Sequence, residues 1–320
     1  MTVIAAIGVD VGGTSTKAAL VDRTGKILER TQRPTETQAG TKGIIEVVER
    51  LIEAAPSLDA ETVAVGIGAA GFVDAESGSV TFSPNLVYDD PQIADAVSSR
   101  SGLPTMVDND ANAAAWGERA FGTGKGSDHL ALLTLGTGIG SGFIIEGRLL
   151  RGATGAAAEL GHMVIDPDGP PCPCGLRGCF EQFASGSAIA RSARAAVRDE
   201  PGSLVVAFAG DIEQITAEHV ARAASEYDET ATAVLRSAGK ALGIGLSNVV
   251  NLFDPKLIVL GGGVVRAGEP LLGPARDELA RRTNAQRRRP MRLDVTVLGN
   301  DAGILGAAAL ALDRAAAGAA

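Results

Sequence analysis

The feature that most constrains this chain is an apolar strand running straight into a glycine turn that carries a threonine, and it occurs twice. Val3 to Val9 is apolar and rich in β-branched residues, then comes Asp10-Val11-Gly12-Gly13-Thr14, and Ala18 to Val21 and Lys26 to Arg30 read as two more strands. After a Gly-rich joint from Phe121 to Gly126 the pattern restarts with Leu130 to Leu135, Gly136-Thr137-Gly138-Ile139-Gly140, Ser141 to Ile145 and Arg148 to Leu150. A three-strand meander written twice predicts two related α/β halves, and 320 residues suffice for two domains with substantial cores. Glycines let the backbone approach a ligand with its amide groups, while Thr14 and Lys17 add a hydroxyl and a cation, a lining that suits phosphate. Taken singly, either turn is also explained as a plain hairpin. The first is no Walker loop, because it lacks the Gly-Lys-Ser/Thr ending and leads into a strand.

Between the meanders, Ile44, Val47, Val48, Leu51 and Ile52 mark an amphipathic helix, and Thr62 to Gly68 a strand. Ala69 to Asp74 and Ser83 to Leu86 read as loops that either wall a ligand or merely connect. A helix through Ile93 and Val97 precedes a short strand ending in Val107-Asp108-Asn109-Asp110. Asp110 can cap the helix starting near Ala111, or point into a cleft at the carboxyl end of a parallel strand, and the two roles are compatible. In the second half Ala231, Val234, Leu235, Ala238, Leu242 and Val249 keep a helical repeat that Pro255 stops. Lys256 to Leu260 empties into Gly261-Gly262-Gly263-Val264, a turn on which a flat ring can lie, and a strand from Leu293 to Leu298 and a helix from about Gly303 complete the chain.

Glu159 to Glu181 holds all three cysteines. Cys172, Cys174 and Cys179, with His162 ten positions upstream, offer three thiolates and an imidazole, the donor set of a closed and therefore structural zinc site. Glu159 and Glu181 bracket that loop, so a metal that stiffens it would also fix two carboxylates for a hydroxyl-rich ligand. An odd cysteine count gathered in one window fits metal binding in a reducing compartment, hence the cytoplasm, better than a disulfide framework. A net charge of −9 leaves no basic field for nucleic acid, and Arg281, Arg282 and Arg287 to Arg289 read as a solvated surface or a local anion patch. No stretch reads as a signal peptide or a membrane span.

In order along nearly the whole chain, DVGGTSTK, VDNDANAAAWGE, LGTGIGSG, ELGH, CPCGLRGCFE and FDPKLIVLGGG resemble the ROK family of repressors, open reading frames and kinases, on the side of its bacterial glucose kinases. The resemblance implies an actin-like, hexokinase-type duplicated α/β fold with two domains around a cleft and a structural zinc loop. Residues 1–115 with a C-terminal helix of about 303–320 would form the small domain, and 116–302 the large one. It implies transfer of the γ-phosphate of ATP to the 6-hydroxyl of glucose, with Asp110 as general base. Gly71, Asn85, Asn109, Glu159, His162 and Glu181 match positions around the sugar, His162 being a zinc ligand as well. Asp10, Gly12, Gly13, Thr14 and Lys17 match the first phosphate loop, with Asp10 near Mg²⁺. Thr137 and Gly138 match the second loop, and Gly262 and Gly263 the adenosine turn. Ala158 departs from the family, where glycine commonly precedes the glutamate. A homo-oligomer, dimer or tetramer, is also implied. Kinases of N-acetylmannosamine, N-acetylglucosamine or fructose share much of the pattern, and polyphosphate is a conceivable donor. A sugar-responsive repressor is disfavoured, since the first strand at Val3 leaves no room for a helix-turn-helix.

Overall fold

The computed structural model describes residues 2–36, 38, 40–83, 86–283 and 291–318. β1 (Val3–Val11), β2 (Ser15–Asp22) and β3 (Ile27–Pro34) form an antiparallel meander. After α1 (Gly40–Ala54), β4 (Ala60–Ala69) lies parallel to β1. A hairpin of β5 (Phe72–Asp74) and β6 (Ser79–Phe82) follows, then α2 (Ile93–Ser101), β7 (Thr105–Asn109) parallel to β4, and α3 (Asp110–Ala120). The second half starts with β8 (Leu130–Leu135), β9 (Ile139–Ile145) and β10 (Arg148–Leu149). Beyond the cysteine loop come α4 (Glu181–Ala184), α5 (Gly186–Ala196), α6 (Leu204–Ala209), α7 (Ala217–Ser225) and the long α8 (Glu229–Phe253). The last elements are β11 (Leu257–Gly261), α9 (Glu269–Arg282), β12 (Arg292–Val295) and α10 (Ala302–Gly318).

The two five-stranded sheets run β3-β2-β1-β4-β7 and β10-β9-β8-β11-β12, the same order strand for strand. The duplication expected from the repeated meander is therefore present in the topology. Alternation along β1 explains how the first sheet is covered on both faces. Ala5, Ile7, Val9 and Val11 pack into one core with Ile44, Val47, Val48 and Leu51 of α1 and with Ile93 and Val97 of α2. On the other face Ala6 meets Ala64, Ala311 and Leu312. There α10 lies against bare backbone: a Cβ on Gly8 would stand 2.1 Å from the Ile304 carbonyl oxygen, and one on Gly66 1.9 Å from that of Ala307.

The chain divides into two compact units, one of Met1–Leu132, Gly142–Ala158 and Thr296–Ala320, the other of Leu133–Ser141 and Glu159–Val295. Among the described residues no helix is long and apolar enough to cross a membrane. Two local expectations are corrected. The stretch from Ala69 to Asp74 continues into the β5–β6 hairpin, with strands too short for periodicity to reveal. The last strand stops at Val295, because the Thr296 hydroxyl binds the Glu118 carboxylate and accepts the backbone N–H groups of Leu298 (3.0 Å) and Gly299 (3.1 Å), which turns the chain.

Candidate active site

The first glycine turn begins where β1 ends. Asp10 faces Lys17 across the β1–β2 pair, and burial raises its carboxyl while the Lys17 charge opposes the shift. Gly12 N–H donates to the Ser15 carbonyl at 3.1 Å, and Gly13 and Thr14 stay exposed. Thr35 pins this turn from β3's far end: its hydroxyl donates to the Gly12 carbonyl at 2.7 Å and its N–H to the Thr14 carbonyl at 3.0 Å. Gly303, in the first turn of α10, is bare toward Asp10, for a Cβ there would lie 2.9 Å from Cγ of the carboxylate. The sequence did not single out Thr35 and marked Gly303 only as a helix start, since both reach the turn only through the fold.

The strand-to-helix junction at β7–α3 separates three polar roles. Asn109 is the cap, accepting from Ala111 N (2.9 Å) and Asn112 N (3.2 Å) through Oδ1. Its Nδ2 donates to the Gly71 carbonyl at 3.1 Å, so these two expected sugar-site residues meet. Asp110 opens the helix, one Oδ1 accepting the Ala111 N–H at 2.8 Å, and stays half-buried. Burial pushes the Tyr88 phenol well above its ordinary range, with the Asp110 charge adding to the shift. Asp108 turns inward and is buried. Asn85 lies outside the described residues.

The cysteine loop brings its four expected ligands together. One donor atom from each of His162, Cys172, Cys174 and Cys179 lies within 4.8 Å of every other. The Cys174 and Cys179 sulfurs are 3.6 Å apart and Cys172 Sγ is 3.7 Å from His162 Nδ1. A tetrahedral zinc–thiolate shell with bonds of about 2.3 Å has edges of roughly 3.8 Å, so the spacing fits that group. Burial and two thiol neighbours push the Cys179 thiol up to about 12, a cluster whose ionisation calls for a cation. Glu181 abuts the cluster, with Cys172 Sγ 3.4 Å from Oε1 and Gln182 Nε2 3.2 Å from it. Its Oε2 lies against the second glycine turn, 2.7 Å from where a Gly138 Cβ would be. Partial desolvation lifts the Glu159 carboxyl although the residue's surface remains exposed; His162 opposes the shift and Glu181 adds to it.

A cavity of about 560 Å³ opens beside the same turn, lined among others by Thr137, Ser187, Arg194, Glu218, Gly263 and Arg266. It joins Thr137 to Gly263, while Gly138 and Gly262 lie outside its lining. Gly262 instead carries the close approach that shapes the wall: at φ 85° its Cβ position is 2.3 Å from the Leu135 carbonyl oxygen. Gly186 N–H donates 2.7 Å to the Gly136 carbonyl, which seats α5 on the turn. Ser187, Arg194 and Glu218 were not foreseen. The one local signal was Ser185-Gly186-Ser187, a helix start with Ser185 as cap.

A model of the ROK family matches residues 6–314. The chain belongs to the ROK family. The glucokinase of Thermotoga maritima is 39% identical over 310 residues, which span 96% of this chain and 97% of that protein. The glucokinase of Streptomyces coelicolor is 41% identical over 310 residues, 95% of this chain and 96% of that one. The crystal structure of a ROK family glucokinase from Streptomyces griseus in complex with glucose and AMPPNP is 40% identical and superposes with a TM-score of 0.84, covering 97% of this chain and 99% of that chain. With its twice-used sheet order, this ROK protein has the expected hexokinase-type α/β fold.

Proposed function

We propose that this ROK protein is an ATP-dependent glucokinase that transfers the γ-phosphate of ATP to the 6-hydroxyl of glucose. The observation that carries the reading is Asp110. A half-buried carboxylate, fixed at a strand end by a separate cap, stands in a chain alike over nearly its full length to a glucokinase crystallised with glucose and AMPPNP.

Phosphoryl transfer passes through a loose transition state, so the protein's work is positioning and charge compensation. Asp110 accepts the proton of the attacking hydroxyl, a contribution typically of about 10²- to 10⁴-fold. Asn109, Gly71, Glu159, Glu181 and His162 hold the remaining hydroxyls, with Asn85 in the same role. His162 turns Nδ1 to the cysteines, which leaves its Nε2 for a sugar hydroxyl. Gly12, Gly13, Thr14 and Lys17 take one end of the phosphate chain and Thr137 and Gly138 the other, and the cavity between Thr137 and Gly263 takes the nucleoside. Hard oxygen donors suit Mg²⁺, and Asp10, the carboxylate on the first turn, would hold the ion that arrives with ATP and offsets phosphate charge. His162, Cys172, Cys174 and Cys179 would hold zinc, which fills its shell with protein donors and acts as a scaffold.

The test is an ADP-release assay across glucose, fructose, mannose, N-acetylglucosamine and N-acetylmannosamine, with ATP and polyphosphate as donors in parallel. Glucose with ATP should give the highest kcat/KM. Preference for an acetamido sugar or for fructose would replace the assignment, and no transfer to any sugar would end it.

A further inference from the structure

A second cavity, of about 460 Å³, lies wholly within the first compact unit. It sits toward the far end of α3, whose first residue is Asp110, so about 9 Å of helix separates its nearest wall, Trp116, from that carboxylate. Its apolar floor is Trp116, Phe121, Ala309 and Leu312, and its rim carries Arg23, Arg119 and Lys125 against one carboxylate, Asp313. That excess of cations is local, because the whole chain carries a net charge of −9.

The carboxylates at hand leave this charge largely uncompensated. Asp313 Oδ2 accepts from Trp116 Nε1 at 2.9 Å. Among the described residues Arg119 meets a single acid, Asp128, through Nη2 at 3.1 Å, and that side chain is 62% exposed. Its Nε is buried with no partner among the described residues, and its guanidinium lies 4.9 Å from the Trp116 ring centroid. An exposed ion pair of this kind neutralises little. Arg23 is held at the rim by the β2–β3 turn, whose Gly25 packs on Phe121: a Cβ there would stand 2.7 Å from the ring. Lys125 is exposed on the turn after α3.

We propose that this cavity binds a small phosphorylated molecule, its phosphate taken by Arg23, Arg119 and Lys125 and its less polar part lying on Trp116 and Phe121. Guanidinium and ammonium side chains that line one cavity from two turns and a helix end suit a compact dianion. The apolar floor suits a carbon skeleton attached to it.

Trp116 is the only tryptophan of the chain, so its emission reports on this cavity directly. The holoprotein is titrated with inorganic phosphate and, separately, glucose 6-phosphate at constant ionic strength, alongside an Arg23→Ser/Lys125→Ser double variant. Both replaced side chains are exposed and lie outside the residues assigned to catalysis. A saturable change in emission is expected, with its midpoint raised about tenfold or more in the double variant. Saturation by the free ion marks phosphate itself as the recognised group, and saturation by the sugar phosphate alone marks the esterified form. A linear response to both probes, or the same midpoint in the double variant, overturns the proposal.

Discussion

Arg151 donates through Nε at 2.8 Å and Nη2 at 2.7 Å to a single oxygen of Asp108, a carboxylate only 4% exposed. The other Asp108 oxygen accepts the Asn109 N–H and Asn112 Nδ2, both at 2.9 Å. Asp108 thus ties Arg151, which lies beyond β10, to the junction that presents Asn109 and Asp110. Buried charge at such a place persists only when paired and hydrogen-bonded, and here the pairing fixes backbone next to the proposed base. Arg151 is a positioning residue.

Arg151→Met should therefore cost about 1–3 kcal/mol of stability, the toll of leaving a buried acceptor short of its partner. Turnover should fall with little change in KM for ATP, and Arg151→Lys should recover part of both. Chemical denaturation and steady-state kinetics on the two variants check this. A Met variant with full turnover would show that the junction holds without the pair.

Asp110→Asn keeps the size and the hydrogen bond from Ala111 N–H to the side-chain oxygen, so folding and glucose binding should survive. Losing the base should lower kcat by at least about 10²-fold. Calorimetric titration with glucose and a coupled assay separate the two effects. Turnover near wild type would remove Asp110 from the mechanism.

The parts legible in the sequence are those written locally. A strand, a glycine turn and a threonine recur with the same punctuation, and the topology repeats them; His162 and the three cysteines of one loop converge as their spacing indicates. Less legible was whatever depends on chain segments far apart. Ser187, Arg194 and Glu218 reach the Thr137 cavity from α5 and the start of α7, and no period in the sequence links them. The cap shows a finer limit. Asp and Asn are nearly equivalent cap formers, so residue type alone could not assign the cap to Asn109 and keep Asp110 for other work.

Metal removal tests the scaffold role. Glu181 touches Cys172, and burial with the neighbouring thiols holds the Cys179 thiol up. Cys174 is exposed, so a strong chelator can reach the cluster. Stripping the metal should lower Tm and raise KM for glucose more than it changes KM for ATP, because the loop carries Glu159 and Glu181. Elemental analysis should find one zinc per chain; protein purified without zinc yet fully active would sink the idea.

Ala158, immediately before Glu159, holds φ at 70°, a conformation natural to glycine. For an alanine the left-handed region costs roughly 1–2 kcal/mol, whereas glycine loses about 0.5–1 kcal/mol more chain entropy on folding than alanine does. The two effects oppose each other, and the steric one is the larger. Ala158→Gly should therefore stabilise the fold slightly, by up to about 1 kcal/mol, or about 1–2 °C in Tm. The functional consequence runs the other way. Alanine narrows the backbone choices of the residue that leads into Glu159, and glycine restores them, so the Glu159 carboxylate should be less well ordered and KM for glucose should rise while kcat holds. Thermal unfolding and glucose kinetics on the single variant decide the matter. A variant that loses stability would show that the strain at Ala158 is smaller than its backbone angle implies, and an unchanged KM would show that the chain before Glu159 does not aim it.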